Sequence, residues 1–199
     1  MFFKCNTHLE CAKMCKDVYN DKKEIIVKKK YGKMFIAMEG TDNIKDWINN
    51  LSFMFKKNDK HSGFTRYANH CKEQYNIKNI VNKNKHIIFT GHSLGAASTL
   101  IMCNDIINEQ NIKNKNIEIV LFGSPKVGGK QFTQQFNTLL EQNKNISVSI
   151  YKHNNDIVCS LPLQKFGYHH ITNIHQIHTN KKQNCIEDHN IMNYIEALT

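Results

Sequence analysis

Arginine is nearly missing from this 199-residue chain: Arg66 is the single one among 27 basic residues. Arginine is the side chain that reads base edges, so a net charge of +10 carried almost wholly by lysine is no nucleic-acid-binding signature, and no nucleic-acid partner is expected. No apolar run approaches the roughly 18 residues needed to cross a bilayer, which leaves out a spanning helix. Met1–Asn20 lacks both a long apolar core and a small-residue cleavage site, so no secretion signal is expected. A regular cysteine framework is absent too. The seven cysteines (Cys5, Cys11, Cys15, Cys71, Cys103, Cys159 and Cys185) are odd in number and scattered, which suits reduced thiols in a cytosolic setting. Cys11 and Cys15 stand one helical turn apart with His8 a turn earlier, a spacing open to a metal ion. Small buried residues on an amphipathic helix are the plainer reading. With no repeat, linker or composition shift, residues 1–199 are expected to form one domain, large enough to hold a core without disulfide staples.

What is present is organised around His86–Leu100. His86 to Thr90 is a β-branched and aromatic run that predicts a buried strand. Gly91-His92-Ser93-Leu94-Gly95 then fills the pattern G-x-S-x-G, and Ala96 to Met102 continues with small residues followed by large apolar ones, as a helix packed on a sheet requires. Strand, sharp glycine-flanked turn and helix is the setting of a nucleophile elbow, in which Ser93 is pushed out at the top of a sheet in a strained backbone conformation. The helix starting there turns its unpaired N–H groups and positive dipole end toward the hydroxyl. The plainer alternative is a glycine-rich turn with a surface serine.

The rest of the chain supplies the surroundings. Helices are expected at about Thr7–Tyr19, Thr65–Asn76, Leu94–Asn108, Gly129–Gln142 and His189–Leu198. Strands are expected at Glu24–Lys30 and Lys33–Met38, joined through Tyr31-Gly32 as a hairpin, and at Ile117–Phe122 and Ile146–Lys152. A second hairpin is expected over Phe166–Ile177. Alternation of strands and helices across the middle predicts an α/β sheet, largely parallel there. Residues 43–55 contain Trp47, Ile48 and Leu51 and are too apolar for an ordinary exposed connection. They either pack into the core or cover a site as a movable lid.

A serine hydroxyl needs a base to take its proton, a carboxylate to orient that base and donors for the oxyanion. In a sheet of this kind those groups follow in the order Ser, Asp or Glu, His, on loops at the C-terminal ends of strands. Asp156 stands on such a loop, after the strand one βα repeat beyond the elbow. Asp105 falls mid-helix and Asp188 is the weaker choice. Five histidines follow Asp156: His169, His170, His175, His178 and His189. Order alone does not choose among them, although His189 sits at a loop-to-helix boundary.

The motifs now in hand resemble those of the class 3, or fungal-type, triacylglycerol lipase family. They run in the family's order as Met38-Glu39-Gly40-Thr41-Asp42, Asp46-Trp47, His61-Ser62-Gly63-Phe64, Gly91 to Ala96, Phe122 to Gly128, Asn155-Asp156-Ile157-Val158 with Leu161-Pro162, Gly167-Tyr168-His169-His170, and a late Asp188-His189 where the family has D-H-x-x-Y. The resemblance implies a compact α/β-hydrolase fold with a mostly parallel central sheet flanked by helices. It implies Ser93 as nucleophile, Asp156 as triad acid, His189 as triad base, Thr41 and Leu94 as oxyanion-hole N–H donors, Gly91, His92 and Gly95 as the elbow, and residues 43–55 as lid. It demotes His169 and His170. The chain departs from the pattern at Glu39, where the family has arginine, at Ala96 for glycine and at Lys126 for arginine.

The function expected is that of a serine hydrolase cleaving carboxylic esters of lipids through an acyl-enzyme, with no metal or organic cofactor. The other readings are phospholipase A-type action on anionic membranes and a non-catalytic lipid- or protein-binding module on the same fold. The lysine-rich charge fits peripheral contact with an anionic membrane surface, although an AT-rich genome produces the same excess of lysine, asparagine and isoleucine. The place expected is cytoplasmic or membrane-peripheral.

Overall fold

The computed structural model describes residues 6–41, 56–57, 59–110, 112–172 and 174–199. The expected lid, residues 43–55 with Trp47, Ile48 and Leu51, lies outside the described residues, as does Cys5. In chain order the elements are α1 (Thr7–Asp21), β1 (Ile25–Lys30), β2 (Lys33–Met38), β3 (Lys56–Lys57), β4 (Lys60–His61), α2 (Ser62–Gln74), α3 (Ile77–Lys83), β5 (His86–His92), α4 (Leu94–Glu109), β6 (Asn116–Phe122), α5 (Lys130–Gln142), β7 (Ile146–His153), β8 (Ile174–Ile177) and α6 (Ile191–Ala197), with short 3₁₀ turns between β7 and β8 and before α6.

Six strands form one sheet in the order β1-β2-β5-β6-β7-β8. The β1–β2 pair is antiparallel, closed by the hairpin at Tyr31 and Gly32, both of which have positive φ as a tight primed turn demands. From β2 to β8 every pairing is parallel. The crossover helices put cover on both faces, so the central strands are apolar on both sides. On β5, Ile87 and Phe89 point into the core formed with α2, α4 and α5, while Ile88 points to the opposite core under α1 and α6. On β6, Ile117, Ile119 and Leu121 belong to the first core, and Val120 and Phe122 to the second. Ala96, Ala97, Ser98 and Thr99 at the start of α4 are all fully buried, because small side chains let this helix lie close on the sheet. Leu100, Ile101 and Met102, also fully buried, each stabilise that packing by roughly 1.5–3 kcal/mol.

Three expectations change. The segment after Phe166 does not form a hairpin. Gly167, at φ +76, ends a 3₁₀ turn (Gln164–Phe166), and β8 then adds to the outer edge of β7 in parallel. The helix expected at Thr65–Asn76 starts earlier, at Ser62, because the His61 side chain caps it by accepting the Phe64 N–H, and a separate short helix, α3, follows it. The last helix starts two residues late, after a 3₁₀ turn (Glu187–His189), with Asn190 as its cap. Cys11 and Cys15 are buried on α1, as the plainer reading of their spacing has it. His8 faces the Tyr151 hydroxyl and Glu118, whereas Cys15 contacts Thr90 Oγ1, and burial pushes its thiol up to about 12. No described helix is long and apolar enough to cross a membrane.

Because β5, β6 and β7 run parallel, their C-terminal residues His92, Phe122 and His153 reach the same end of the sheet. The loops leaving them are the ones that carry the residues singled out from the sequence.

Candidate active site

Ser93 sits between β5 and α4 at φ 59 and ψ −127, a conformation that costs a non-glycine residue about 1–3 kcal/mol. The turn is held in it from both sides. The Ser93 N–H donates to the Phe122 carbonyl at 3.1 Å, and its own carbonyl accepts the Ala96 and Ala97 N–H groups that begin the helix. The two motif glycines are there for close approach. A Cβ on Gly91 would stand 2.6 Å from the Gly95 carbonyl, and one on Gly95 would stand 2.4 Å from the Met38 and Glu39 carbonyl oxygens. Contact between Gly95 and the end of β2 brings the turn against the loop that leads to Thr41. Leu94 is the first residue of α4, where helix N–H groups lack intrahelical acceptors.

Asp156 and His189 meet across 33 residues of sequence. The His189 Nδ1–H donates to Asp156 Oδ2 at 2.7 Å, with both side chains buried. Asp156 has two further donors: the Val158 N–H to Oδ1 at 2.8 Å and the Tyr194 hydroxyl to Oδ2 at 2.5 Å. Burial pushes the Asp156 pKa up. The hydrogen bonds from His189, Tyr194 and Val158 and the charge on His189 outweigh it, and the carboxyl is held below its usual value. Tyr194 stays protonated and able to donate, its pKa driven up by burial and by the neighbouring Cys159 and Asp156. Carboxylate and ring orientation thus leave Nε2 as the nitrogen aimed away from Asp156. Among the described residues, neither His189 Nε2 nor the Ser93 hydroxyl, both buried, has a hydrogen-bond partner, so a Ser93–His189 hydrogen bond is not made in this structure.

Gly123 explains how these groups can gather. It follows Phe122, whose carbonyl anchors Ser93, and adopts φ +57. A Cβ there would lie 2.7 Å from His189 Cε1 and 3.0 Å from Asp156 Oδ2. The His189 ring therefore rests against the peptide that suspends the elbow.

Tyr19, Thr41, His92 and His189 line an open cavity of about 350 Å³ together with Ile186, Glu187, Asn190 and Ile191. Thr41 and His189 thus line one cavity, Thr41 standing two residues after the Glu39 carbonyl that Gly95 approaches. His92 is buried: its Nδ1 accepts the Tyr19 hydroxyl at 2.8 Å, and its Nε2–H donates to the His189 carbonyl at 2.8 Å. Burial, with His189 nearby, takes the His92 pKa down to about 3, so the ring is neutral at ordinary pH and has one donor and one acceptor to offer.

The other histidines are engaged elsewhere. His170 Nε2 meets the Cys159 carbonyl at 2.7 Å, His178 meets the Asn154 side chain, and the His175 ring lies on Tyr151. His169 lies in a bridge with Gly128. Asp105 pairs with Lys60 and Lys72. Sequence reasoning missed Tyr194, Tyr19 and Gly123. The D-H-x-x-Y pattern puts its tyrosine at position 192, which is the exposed Met192 here, and the hydroxyl comes from Tyr194 instead. Asp188, a rival acid by sequence and part of the late Asp188-His189 motif, instead ties the loop together: its carboxylate takes the Asn155 N–H at 3.1 Å.

Compared with known proteins, this structure is similar to the triacylglyceride lipase of Rhizomucor miehei, with a TM-score of 0.69 over 86% of this chain and 79% of that one at 19% identity. The fold is the α/β-hydrolase fold. By sequence, the chain is 26% identical over 148 residues to a lipase of Rhizopus niveus and 25% identical over 134 residues to phospholipase A1-IIdelta of Arabidopsis thaliana, matches that cover 69% and 65% of this chain. The matched part is about a third of the length of those relatives, 36% and 31% respectively. The family model described as Lipase (class 3) matches residues 35–166, and with motifs, fold and relatives in agreement the chain belongs to the class 3 lipase family.

Proposed function

We propose that the chain is a serine hydrolase acting on carboxylic esters of lipids. The observation that carries the reading is the buried His189–Asp156 pair, whose ring lies against Gly123 and on the ring of His92, the residue before the strained Ser93. Asp156 holds the ring in the tautomer with hydrogen on Nδ1, leaving Nε2 to accept a proton. His189 takes the proton of Ser93 as Oγ attacks the ester carbonyl. The negative oxygen of the tetrahedral intermediate is received by the N–H groups of Thr41 and Leu94 at the mouth of α4. His189 returns the proton to the departing alcohol, and the acyl group stays on Ser93. Water, deprotonated by the same nitrogen, then releases the fatty acid. The Ser93–His189 hydrogen bond, absent here, forms when substrate is bound, as such contacts tighten in reacting complexes.

Lipid rather than a small soluble ester is supported by the relatives and by exposed apolar side chains close in sequence to the site residues. Leu163 and Phe166 are exposed shortly after the Asp156 loop, and Met192 is exposed three residues after His189. With a net charge of +10, these apolar side chains fit contact with an anionic lipid surface. Both triacylglycerols and phospholipids fit the reading, since relatives carry both names.

The deciding experiment is hydrolysis of a short-chain and a long-chain p-nitrophenyl ester by the wild type, Ser93→Ala and His189→Ala. Loss of turnover in both folded variants supports the reading. Full activity in His189→Ala would move the base to another histidine. A folded wild type inactive on every ester favours a non-catalytic lipid-binding module. Triacylglycerol emulsion against phospholipid vesicles, anionic and neutral at low salt, then separates the substrate classes.

A further inference from the structure

Two buried imidazoles grip the turn that carries His189. His92 is the last residue of β5 and His153 the last of β7, on either side of β6 at the same end of the sheet. His92 Nε2–H donates to the His189 carbonyl at 2.8 Å, and His153 Nδ1–H donates to the Asp188 carbonyl at 3.1 Å. A carbonyl oxygen only accepts, so the nitrogen facing it must carry the hydrogen. Each ring's second nitrogen meets a hydroxyl, Tyr19 on His92 at 2.8 Å and Thr179 on His153 at 2.9 Å, a group that can pair with that nitrogen whichever role the carbonyl leaves to it.

The two carbonyls held are successive. That of Asp188 belongs to the peptide plane before the His189 Cα, and that of His189 to the plane after it. Fixing both planes fixes the φ and ψ of His189, and with them the direction in which its side chain leaves the backbone. The His92 ring also lies on the His189 ring, with centroids 4.5 Å apart and planes 31° from parallel, which limits rotation of the side chain. The grip extends to the acid. The Asp188 carboxylate receives the Asn155 N–H at 3.1 Å and the Asn154 side-chain amide at 3.4 Å, so the turn before His189 is tied to the loop before Asp156. Ordinary packing of a helix end requires no such arrangement, and both histidines are withdrawn from solvent to provide it.

We infer that His92 and His153 are positioning residues that set the orientation of His189 between Asp156 and Ser93 by holding the peptide planes on both sides of it. The inference rests on the proposed role of His189 as base. It also carries a geometric signature, because glutamine places a donor near the Nε2 position of histidine and asparagine places one near Nδ1. At residue 92 glutamine should substitute and asparagine should not. At residue 153 the order reverses.

The test compares His92→Gln, His92→Asn and His92→Leu with His153→Asn, His153→Gln and His153→Leu, reading kcat and KM on a p-nitrophenyl ester, thermal stability, and the far-downfield NMR resonance of the proton between His189 Nδ1 and Asp156. The leucine variants are expected to lose kcat by about 10²-fold, the scale of a misplacement near 1 Å, with KM little changed. His92→Gln and His153→Asn are expected to regain most of that loss and to keep the resonance, while the exchanged amides do not. Folded leucine variants with unaltered kcat and resonance would overturn the inference. So would equal kcat for both amides at each position, tracking thermal stability instead of donor placement. If the wild type neither hydrolyses esters nor has Ser93 labelled by an alkyl phosphonate, the hydrolase reading fails by itself. The resonance, which needs no substrate, still decides whether the two histidines hold His189.

Discussion

The Tyr194 hydroxyl and His189 Nδ1 donate to the same oxygen, Oδ2 of Asp156, at 2.5 and 2.7 Å. A buried carboxylate with that many donors stays ionised and fixed in direction, the condition under which a histidine is held in one tautomer. Tyr194→Phe removes one charge-assisted bond without opening a cavity. It is expected to cost about 1.5–3 kcal/mol of stability in urea unfolding and to lower kcat by a smaller factor than loss of the carboxylate does.

Asp156→Asn is the sharper change. The amide can donate to the ring where the carboxylate only accepts, so the hydrogen shifts to Nε2, the nitrogen that must be bare to take the serine proton. Turnover is expected to fall by about 10³–10⁴-fold while the circular dichroism spectrum stays that of the wild type. Activity within a few-fold of wild type in that variant would mean that His189 is not the base.

The sheet and the triad candidates were legible because each rests on a local pattern. Val, Ile and Phe runs marked β5, β6 and β7, and G-x-S-x-G marked the turn after β5. A loop-to-helix boundary favoured His189 and the resemblance at Asp188-His189 picked it; of the five later histidines it is the one whose ring bonds Asp156. What was not legible depends on partners far apart in sequence. Nothing beside Tyr19 signals that it will meet His92 73 residues later, and nothing beside His153 signals Asp188. Tyr194 was hidden because it stands two positions past the motif's tyrosine. The misread hairpin has a similar cause. Ile174–Ile177 has the apolar ends that suit a strand, but its pairing with the edge of β7 rather than with a neighbour in sequence is a tertiary choice.

Gly123→Ala tests the suspension of the site with a single methyl group. The new Cβ meets His189 Cε1 at 2.7 Å, and the backbone at φ +57 strains any side chain. Strain of this kind costs about 1–3 kcal/mol. The larger effect is expected in kcat, down about 10²-fold or more, because relief of the contact must move either the His189 ring or the peptide that anchors Ser93. A melting temperature lowered without loss of kcat would show that the ring has room to yield.

Acid should weaken the fold through histidines that are buried neutral. Burial lowers the pKa of His92 to about 3 and of His61 to about 4, and His170 shifts in the same direction to about 4. In the unfolded chain each titrates near 6.5, so below that value the unfolded state binds protons that the folded state refuses. Stability therefore falls as pH falls from about 6.5 toward 4, and is fully present above that window. For a fully buried histidine the loss between about pH 7.5 and 5.5 is about 1.4 kcal/mol, so His61 and His92 together contribute about 3 kcal/mol. The measurement is urea unfolding at the two pH values for the wild type and for His61→Leu. Carboxylates and lysines change alike in both proteins, so the difference between their pH responses isolates one histidine. The variant is expected to lose about 1.4 kcal/mol less than the wild type across that interval. Equal losses would mean that His61 takes up a proton in the folded state, which its burial, with Nδ1 already accepting the Phe64 N–H, argues against.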